Sequence, residues 1–159
     1  MRLPPKLLFL SALACIAVSH LGRAAVPAAC LVVQNGTGSV YGTVYDARSK
    51  LTWQQGVIAG GYTWAQASTQ CQTLALNGGG WRLPSIMELQ TIVDDSRINP
   101  SIDPVAFPAT PGVLFWTSSA VSGSAGAADG TRDKWTVSFA NGATRINLVT
   151  SSNLFRCVR

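Results

Sequence analysis

Side chains that could perform covalent or metal-assisted chemistry are scarce in this chain. Its one histidine, His20, lies in an N-terminal segment that has the features of a cleaved leader. Once that segment is removed, no Ser-His or Cys-His mechanism can operate, and no histidine-ligated zinc site can form. The sequence therefore predicts no metal site, no cofactor and no enzyme of these classes.

The carboxylates do not form an obvious catalytic pair. Glu88 is the only glutamate, and a helix-capping role explains it. Asp94 and Asp95 are adjacent, and adjacent side chains on a helix point apart, so a solvated helix end is the simpler interpretation. Asp129 and Asp133 could hold a hard cation through their oxygens, but an ordinary solvated loop explains them better. We therefore expect a protein that is not an enzyme.

Three cysteines, Cys30, Cys71 and Cys157, follow the leader. In an oxidising compartment they are expected to pair, and because three is odd, one is left over. Cys71 falls on the first predicted helix and Cys157 in the last predicted strand, and we expect these two to be partners. Cys30 would then be capped, paired with another chain, or free on a tether.

Residues suited to recognition cluster around one predicted loop. Ser118–Asp133 is rich in serine, glycine and alanine and predicts a long exposed loop. Tryptophans in strands and helices are usually core, and Trp64 and Trp135 lie on predicted apolar faces. Trp116 is the preferred exposed platform, because its strand leads directly into the loop. The candidate binding residues are Trp116, Asp129, Arg132, Asp133 and Lys134.

Residues 1–24 are typical of a secretory signal peptide. Arg2 and Lys6 give the basic start, Leu7–Val18 the apolar centre, and Gly22–Ala24 an acceptable cleavage site. The apolar run is shorter than the roughly 20 residues of a membrane-spanning helix. We therefore expect an exported protein without a membrane span.

The rest of the chain divides into a tether, residues 25–37, and one domain, residues 38–159, which is long enough for its own core. A lipid anchor at Cys15 is not expected, because Ala12 stands where a bulky aliphatic residue is usual. The protein would reach the periplasm, the outer surface or the medium.

The net charge does not favour nucleic-acid binding. The chain has twelve Lys and Arg against seven Asp and Glu. Three of the basic residues, Arg2, Lys6 and Arg23, lie in the leader, so the balance afterwards is nine minus seven, or +2. No run of basic residues exists, and nucleic acid is not an expected partner.

The stretch Gly78–Val93 specifies the most local structure. Three glycines allow positive φ, and Pro84 keeps the preceding Trp81-Arg82-Leu83 extended. Ser85 and Glu88 have the spacing of a capping box, and apolar residues at helical spacing follow them. Trp81, Arg82, Pro84, Ser85 and Glu88 are therefore predicted as a structural motif, in which Arg82 anchors a carboxylate or carbonyl oxygens rather than a ligand.

The remaining patterns predict an α+β domain. A β-hairpin is expected from Val40 to Gln54, and a first helix capped by Thr63 with Gln66. After a proline-rich passage come a short strand at Val113–Thr117, a hairpin turning at Asn141–Gly142, and a last strand at Leu154–Val158.

Five separate segments of the chain carry a family resemblance. They are, in order, Asp46 with Leu51–Gln55, Tyr62–Ala67, Gly78–Val93, Phe115–Ser119 and Phe155–Arg159. Together they resemble the C-terminal domain of the Legionella collagen-like adhesins, a bacterial domain long without an assigned function. The Trp-Arg-Leu-Pro block and the closing Phe-Arg-Cys-Val-Arg are also similar to formylglycine-generating enzymes, which have a C-type-lectin-like fold.

The resemblance implies a C-type-lectin-like fold, whose defining disulfide would here join Cys71 and Cys157. It also implies binding of sulfated glycans, although this sequence contains no collagen repeat to supply the avidity of a trimeric stalk. The motifs with which C-type lectins hold calcium and sugar are absent, and Lys134-Trp135-Thr136 stands where one of them should be.

Three functions follow for testing. The first is an exported recognition or adhesion module that binds a glycan, sulfated as in the adhesins, or a protein through the loop face. The second is a structural or assembly component of the cell envelope, with Cys30 available for an intermolecular disulfide. The third and least favoured is an enzyme of the formylglycine-generating kind.

Overall fold

Two three-stranded antiparallel sheets and two helices make up the part of the chain that the structure describes. This computed structural model describes residues 30–34, 42–122 and 133–159. The first sheet has the order β1-β2-β3 and the second β4-β5-β6, which confirms the α+β prediction. The elements are β1 (Leu31–Gln34), β2 (Thr43–Asp46), β3 (Leu51–Gln54), α1 (Trp64–Thr73), α2 (Ile86–Gln90), β4 (Leu114–Ala120), β5 (Lys134–Ser138) and β6 (Thr144–Asn147).

The first sheet contains the predicted hairpin and one strand that was not predicted. Asp46 closes the β2–β3 turn, because its carboxylate accepts from the Arg48 amide at 2.9 Å and the Ser49 hydroxyl at 2.8 Å. Strand β1 pairs antiparallel with β2. Residues 31–34, which the sequence analysis assigned to the tether, therefore belong to the sheet. The leader, the start of the tether and the predicted domain boundary at 38 lie outside the described residues.

The second sheet forms around the predicted turn at Asn141–Gly142. Gly142 adopts a φ of 73°, and the Ser138 amide donates to the Ala143 carbonyl oxygen at 2.8 Å. The hairpin is present, but its turn is longer than the two residues predicted. Strand β4 extends to Ala120, further than the predicted Val113–Thr117, with an irregular register between Trp116 and Ala120.

The C-terminal segment connects the two sheets. Val158 forms β-bridges with both Trp53 of β3 and Arg82, while Leu154 forms a parallel bridge with Phe115 of β4. The predicted strand at Leu154–Val158 is thus a set of isolated bridges rather than a continuous strand. Because this segment contacts both sheets, the chain end is fixed within the fold.

Both predicted capping boxes are present. Thr63 accepts from the Gln66 amide while Gln66 accepts from the Thr63 amide, and Ser85 and Glu88 make the same exchange. Helix α1 ends at Thr73, and α2 is only five residues long. Each cap fixes the residue at which its helix starts. The start residue in turn decides which side chains of the helix face the sheets.

Two buried clusters form the core. One lies between the sheets and α2 and contains Trp53, Leu89, Phe115 and Phe139, among others. The other packs α1 onto the opposite face of β4 and includes the disulfide between Cys71 and Cys157, whose Cα atoms are 5.4 Å apart. The predicted pairing of these cysteines is confirmed.

Cys30 is not a free thiol on a tether, which was one of its three expected states. It is disulfide-bonded and only 1% exposed, immediately before β1. The described part of the chain contains no free cysteine. Within that same part, no helix has both the length and the apolarity to cross a membrane.

Candidate functional site

The Trp-Arg-Leu-Pro segment is a structural frame. Gly78 and Gly80 adopt φ values of 99° and 86°, and Trp81 is buried behind them with its indole nitrogen donating to the Leu76 carbonyl oxygen at 2.8 Å. Arg159 lies 4.9 Å from the Trp81 ring centroid and donates to the Asn77 carbonyl oxygen at 2.8 Å. The chain end therefore covers the glycine loop.

Arg82 binds a carboxylate, as the sequence indicated. Its two terminal nitrogens donate to the two Glu88 oxygens at 2.8 and 2.7 Å. Hydrogen bonding from Arg82, with help from the Ser85 amide, lowers the pKa of Glu88 to about 2, against the opposing effect of burial. The Pro84 carbonyl oxygen accepts from the Ser118 amide at 2.7 Å, which ties this frame to β4.

Trp116 is not the exposed platform that the sequence analysis preferred. Its side chain is 0% exposed and packs with α1 residues in the second cluster. Its indole nitrogen donates to the Tyr62 carbonyl oxygen at 2.7 Å. The prediction was wrong because Trp116 points to the face of β4 that α1 covers.

The tryptophans that are half-exposed are instead the two that the pattern placed in the core, Trp64 and Trp135. Trp64 anchors its ring by donating from Nε1 to the Thr117 carbonyl oxygen at 2.8 Å. The Lys134 ammonium lies 4.3 Å from the Trp64 ring centroid, within cation–π range. Trp135 pairs across the sheet with Ile146, which is 50% exposed.

These residues surround the neck of the predicted loop. The Val121 amide donates to the Asp133 carbonyl oxygen at 3.3 Å, which brings the two ends of the intervening segment together. Asp133 is half-buried at this neck, and the candidates Asp129 and Arg132 lie outside the described residues. We call the set Trp64, Asp133, Lys134 and Arg145 the loop rim, and Trp135, which pairs with Ile146, lies on the opposite face of the sheet from Lys134 and Arg145.

Most described arginines bind other residues of the domain. Arg48 contacts Asp46, Arg82 contacts Glu88 and Arg97 contacts Asp94, so those charges are locally neutralised. Arg145 is exposed, and within the described residues its guanidinium has no ion-pair or hydrogen-bond partner. It pairs with Thr136 while Asn147 pairs with Lys134, which places Arg145 and Lys134 on one face of the sheet.

Arg156 is a structural residue with 0% exposure. It donates to the carbonyl oxygens of Gln54 and Gln55 and to the Thr110 hydroxyl, and it stacks 4.6 Å from the Phe107 ring centroid. Burial lowers its pKa to about 9, so the guanidinium remains charged at neutral pH. It cannot serve as a ligand-binding cation at the surface.

Asp94 is buried rather than solvated. Its Oδ1 accepts from the Ser96 amide at 3.0 Å and from the Ser96 hydroxyl at 2.6 Å, and its Oδ2 accepts from Arg97 at 2.9 Å. It therefore shapes the turn after α2. Among the described residues, no group of three or more potential metal ligands comes together.

A groove that the sequence analysis missed lies on the side of the second sheet that α1 covers. One part encloses about 440 Å³ between the Gly60–Gly61 loop, Val113–Leu114, Ser138 and Ser152–Leu154, with Gly112 beside them. The other part, about 390 Å³, lies along the outer face of α1 beside Tyr62. Gly61 lines both parts, and no charged residue lines either.

The groove is assembled from four separate segments, which explains why no local pattern showed it. Its glycines suggested only turns in the sequence. The structure shows why position 112 requires glycine: a Cβ there would collide with the Asn99 side chain. A Cβ on Gly61 would come within 3.0 Å of Ser152.

The fold and surfaces define a small disulfide-bonded α+β domain with two candidate recognition surfaces. A family model described as the Lcl C-terminal domain matches residues 42–159. The chain belongs to this family, which is the adhesin domain family that the sequence blocks resemble. The searches of curated proteins and of solved structures found no match.

Proposed function

We propose that this protein is an exported recognition and adhesion module that binds an acidic, sulfated glycan at the loop rim. The family is one of adhesin-like proteins, which supports a role at a surface. The Cys71–Cys157 disulfide supports an oxidising compartment outside the cytoplasm. A bond between the first helix and the chain end also supports a C-type-lectin-like arrangement.

The single observation that carries the ligand class is the grouping of Lys134, Arg145 and the half-exposed Trp64 at the rim. Residues diagonal to each other on neighbouring strands lie roughly 7–8 Å apart. That spacing allows Lys134 and Arg145 to contact one sulfated disaccharide. Trp64 supplies flat apolar surface beside these cations, which suits stacking on a sugar ring.

A binding role also agrees with the fact that Cys157 and Glu88, two groups that could act in catalysis, are both bonded within the fold. Cys157 is used in a disulfide, so the reactive thiol that a formylglycine-generating enzyme would need is not present at that position. Glu88 is committed to Arg82 and Ser85. We propose that the domain acts by binding and not by catalysis.

Heparin chromatography with charge-matched variants tests the proposal. Lys134→Gln and Arg145→Gln remove rim cations, whereas Lys50→Gln removes an exposed lysine on the β2–β3 turn. We expect the rim variants to elute at lower salt than the wild type and K50Q to elute with it, because screening weakens each ionic contact. Equal shifts for all three would indicate non-specific attraction, and no retention of the wild type at low salt would refute the proposal.

Trp64→Leu separates stacking from charge. We expect it to weaken binding of a sulfated disaccharide without changing the net charge, as measured by titration calorimetry. Ile98→Ala is the control, because Ile98 is 82% exposed and outside the rim. An unchanged affinity for W64L would limit the site to its cations.

A further inference from the structure

The uncharged groove is a second binding surface, distinct in chemistry from the loop rim. We propose that it binds a neutral, hydroxyl-rich oligosaccharide, seated along Gly60, Gly61 and Gly112 and hydrogen-bonded by Asn153. This goes beyond the function proposed above, which assigns acidic glycans to another part of the surface.

Main-chain groups in the groove are available to a ligand. Gly60, Gly61 and Gly112 make no hydrogen bond with any other described residue, although other loop residues around them do. Without side chains, these glycines allow a ligand to approach the amide and carbonyl groups directly. Hydroxyl groups can both donate and accept, so a sugar can pair with either kind of main-chain group.

Asn153 supplies the most specific signal. Its main chain is fixed by two hydrogen bonds with Tyr62, at 3.0 and 3.1 Å. Its side-chain nitrogen is nevertheless buried and has no hydrogen-bond partner within the described residues. A buried donor that is left unpaired destabilises the folded protein. Because this nitrogen has almost no exposed surface, the Asn153 amide must turn toward the groove to bond a ligand, and no hydrogen bond holds the nitrogen where it is.

The remaining lining fits a neutral sugar and not an ion. Ser138 and Ser152 add hydroxyl groups, and Val113, which is 45% exposed, adds apolar surface. Beyond Gly61 the groove continues past the Tyr62 ring to the exposed amide of Gln70 on α1. The volume of about 440 Å³ in the first part lies within the usual 300–1,000 Å³ of small-ligand sites.

The experiment uses the purified protein, uniformly labelled with ¹⁵N, and three neutral probes: maltotriose, cellotriose and mannotriose. We expect at least one probe to shift the amide resonances of Gly60, Gly61 and Gly112 while those of Gly78–Gly80 stay unchanged. If no probe shifts the groove glycines at millimolar concentration, the proposal is wrong. Shifts confined to the loop rim would also refute it, while leaving the function proposed above intact.

Variants separate binding from folding. Asn153→Leu removes the unpaired amide, so we expect the melting temperature to be unchanged or higher and the dissociation constant to rise about tenfold. Gln70→Leu should also weaken binding, and Gln72→Leu, an exposed glutamine on the same helix that does not line the groove, should not. Wild-type affinity in N153L would overturn the assignment, as would stronger displacement of the probe by an uncharged peptide than by a sugar.

Discussion

Glu88 both pairs with Arg82 and caps helix α2, because its carboxylate accepts hydrogen bonds from two Arg82 nitrogens and from the Ser85 amide. The three distances are 2.8, 2.7 and 2.7 Å. The helix start and the extended segment before it are thus held by the same side chain.

We expect Glu88→Gln to retain the capping bond to Ser85 while losing the ion pair, and Glu88→Ala to lose both. E88A should lower the free energy of unfolding by about 1 kcal/mol, and E88Q by less. Urea denaturation at pH 7 measures both changes. Equal losses would indicate that the ion pair, and not the cap, carries the effect.

The same pair predicts a pH dependence. The pKa of Glu88 is lowered from 4.5 to about 2 in the folded protein, so its contribution to stability is fully present above pH 4.5. It should be lost as the pH falls from 4.5 to 2, because the unfolded chain takes up the proton first. Unfolding measured at several pH values in this window should therefore show a shallower decline for E88Q than for the wild type.

Such local features were predictable because they depend on residues close in sequence. The capping boxes at Thr63 and Ser85 need only the residue three positions later, and the Asn141–Gly142 turn needs only its own backbone preference. The pairing of Cys71 with Cys157, which are 86 residues apart, is not local, and it was expected because a first-helix and a last-strand cysteine are joined in the C-type-lectin-like fold that the sequence resembles. These features explain why the fold class followed from the sequence.

Exposure of particular side chains was not predictable in the same way. Trp135 alternates with Val137 and Phe139, which indicated a core position, but it lies at the end of β5 where the core no longer covers it. Trp116 precedes a polar stretch, yet α1 packs over it. Which face and which end of a strand are covered depends on distant elements, so alternation alone could not decide.

The Cys71–Cys157 disulfide should contribute strongly to stability. It closes a loop with a sequence separation of 86 residues, and the chain-entropy relation gives roughly 4 kcal/mol for such a loop. We expect Cys71→Ala/Cys157→Ala to lose about that much in the free energy of unfolding, measured with guanidinium. A loss below about 1 kcal/mol would show that the packing of the chain end suffices without the covalent bond.

Arg156 should tolerate neither of its two nearest replacements. Lysine keeps the charge but cannot donate to two carbonyl oxygens and a hydroxyl in the same planar geometry. Methionine removes the charge and leaves the oxygens of Gln54, Gln55 and Thr110 without their donor. We expect each variant to lose about 3 kcal/mol, measured by thermal unfolding, with Arg97→Lys as an exposed control that loses much less.

Gly142, in the β5–β6 turn, packs closely against Val93, which lies in the segment after α2. A Cβ on this residue would lie 2.7 Å from Val93 Cγ1, and its φ of 73° disfavours side chains. We expect Gly142→Ala to cost about 2 kcal/mol, of which about half is backbone strain. In a double-mutant cycle, Val93→Ala should recover the steric part but not the strain. Strict additivity of the two variants, measured by chemical denaturation, would show that the turn moves away from Val93 instead of pressing against it.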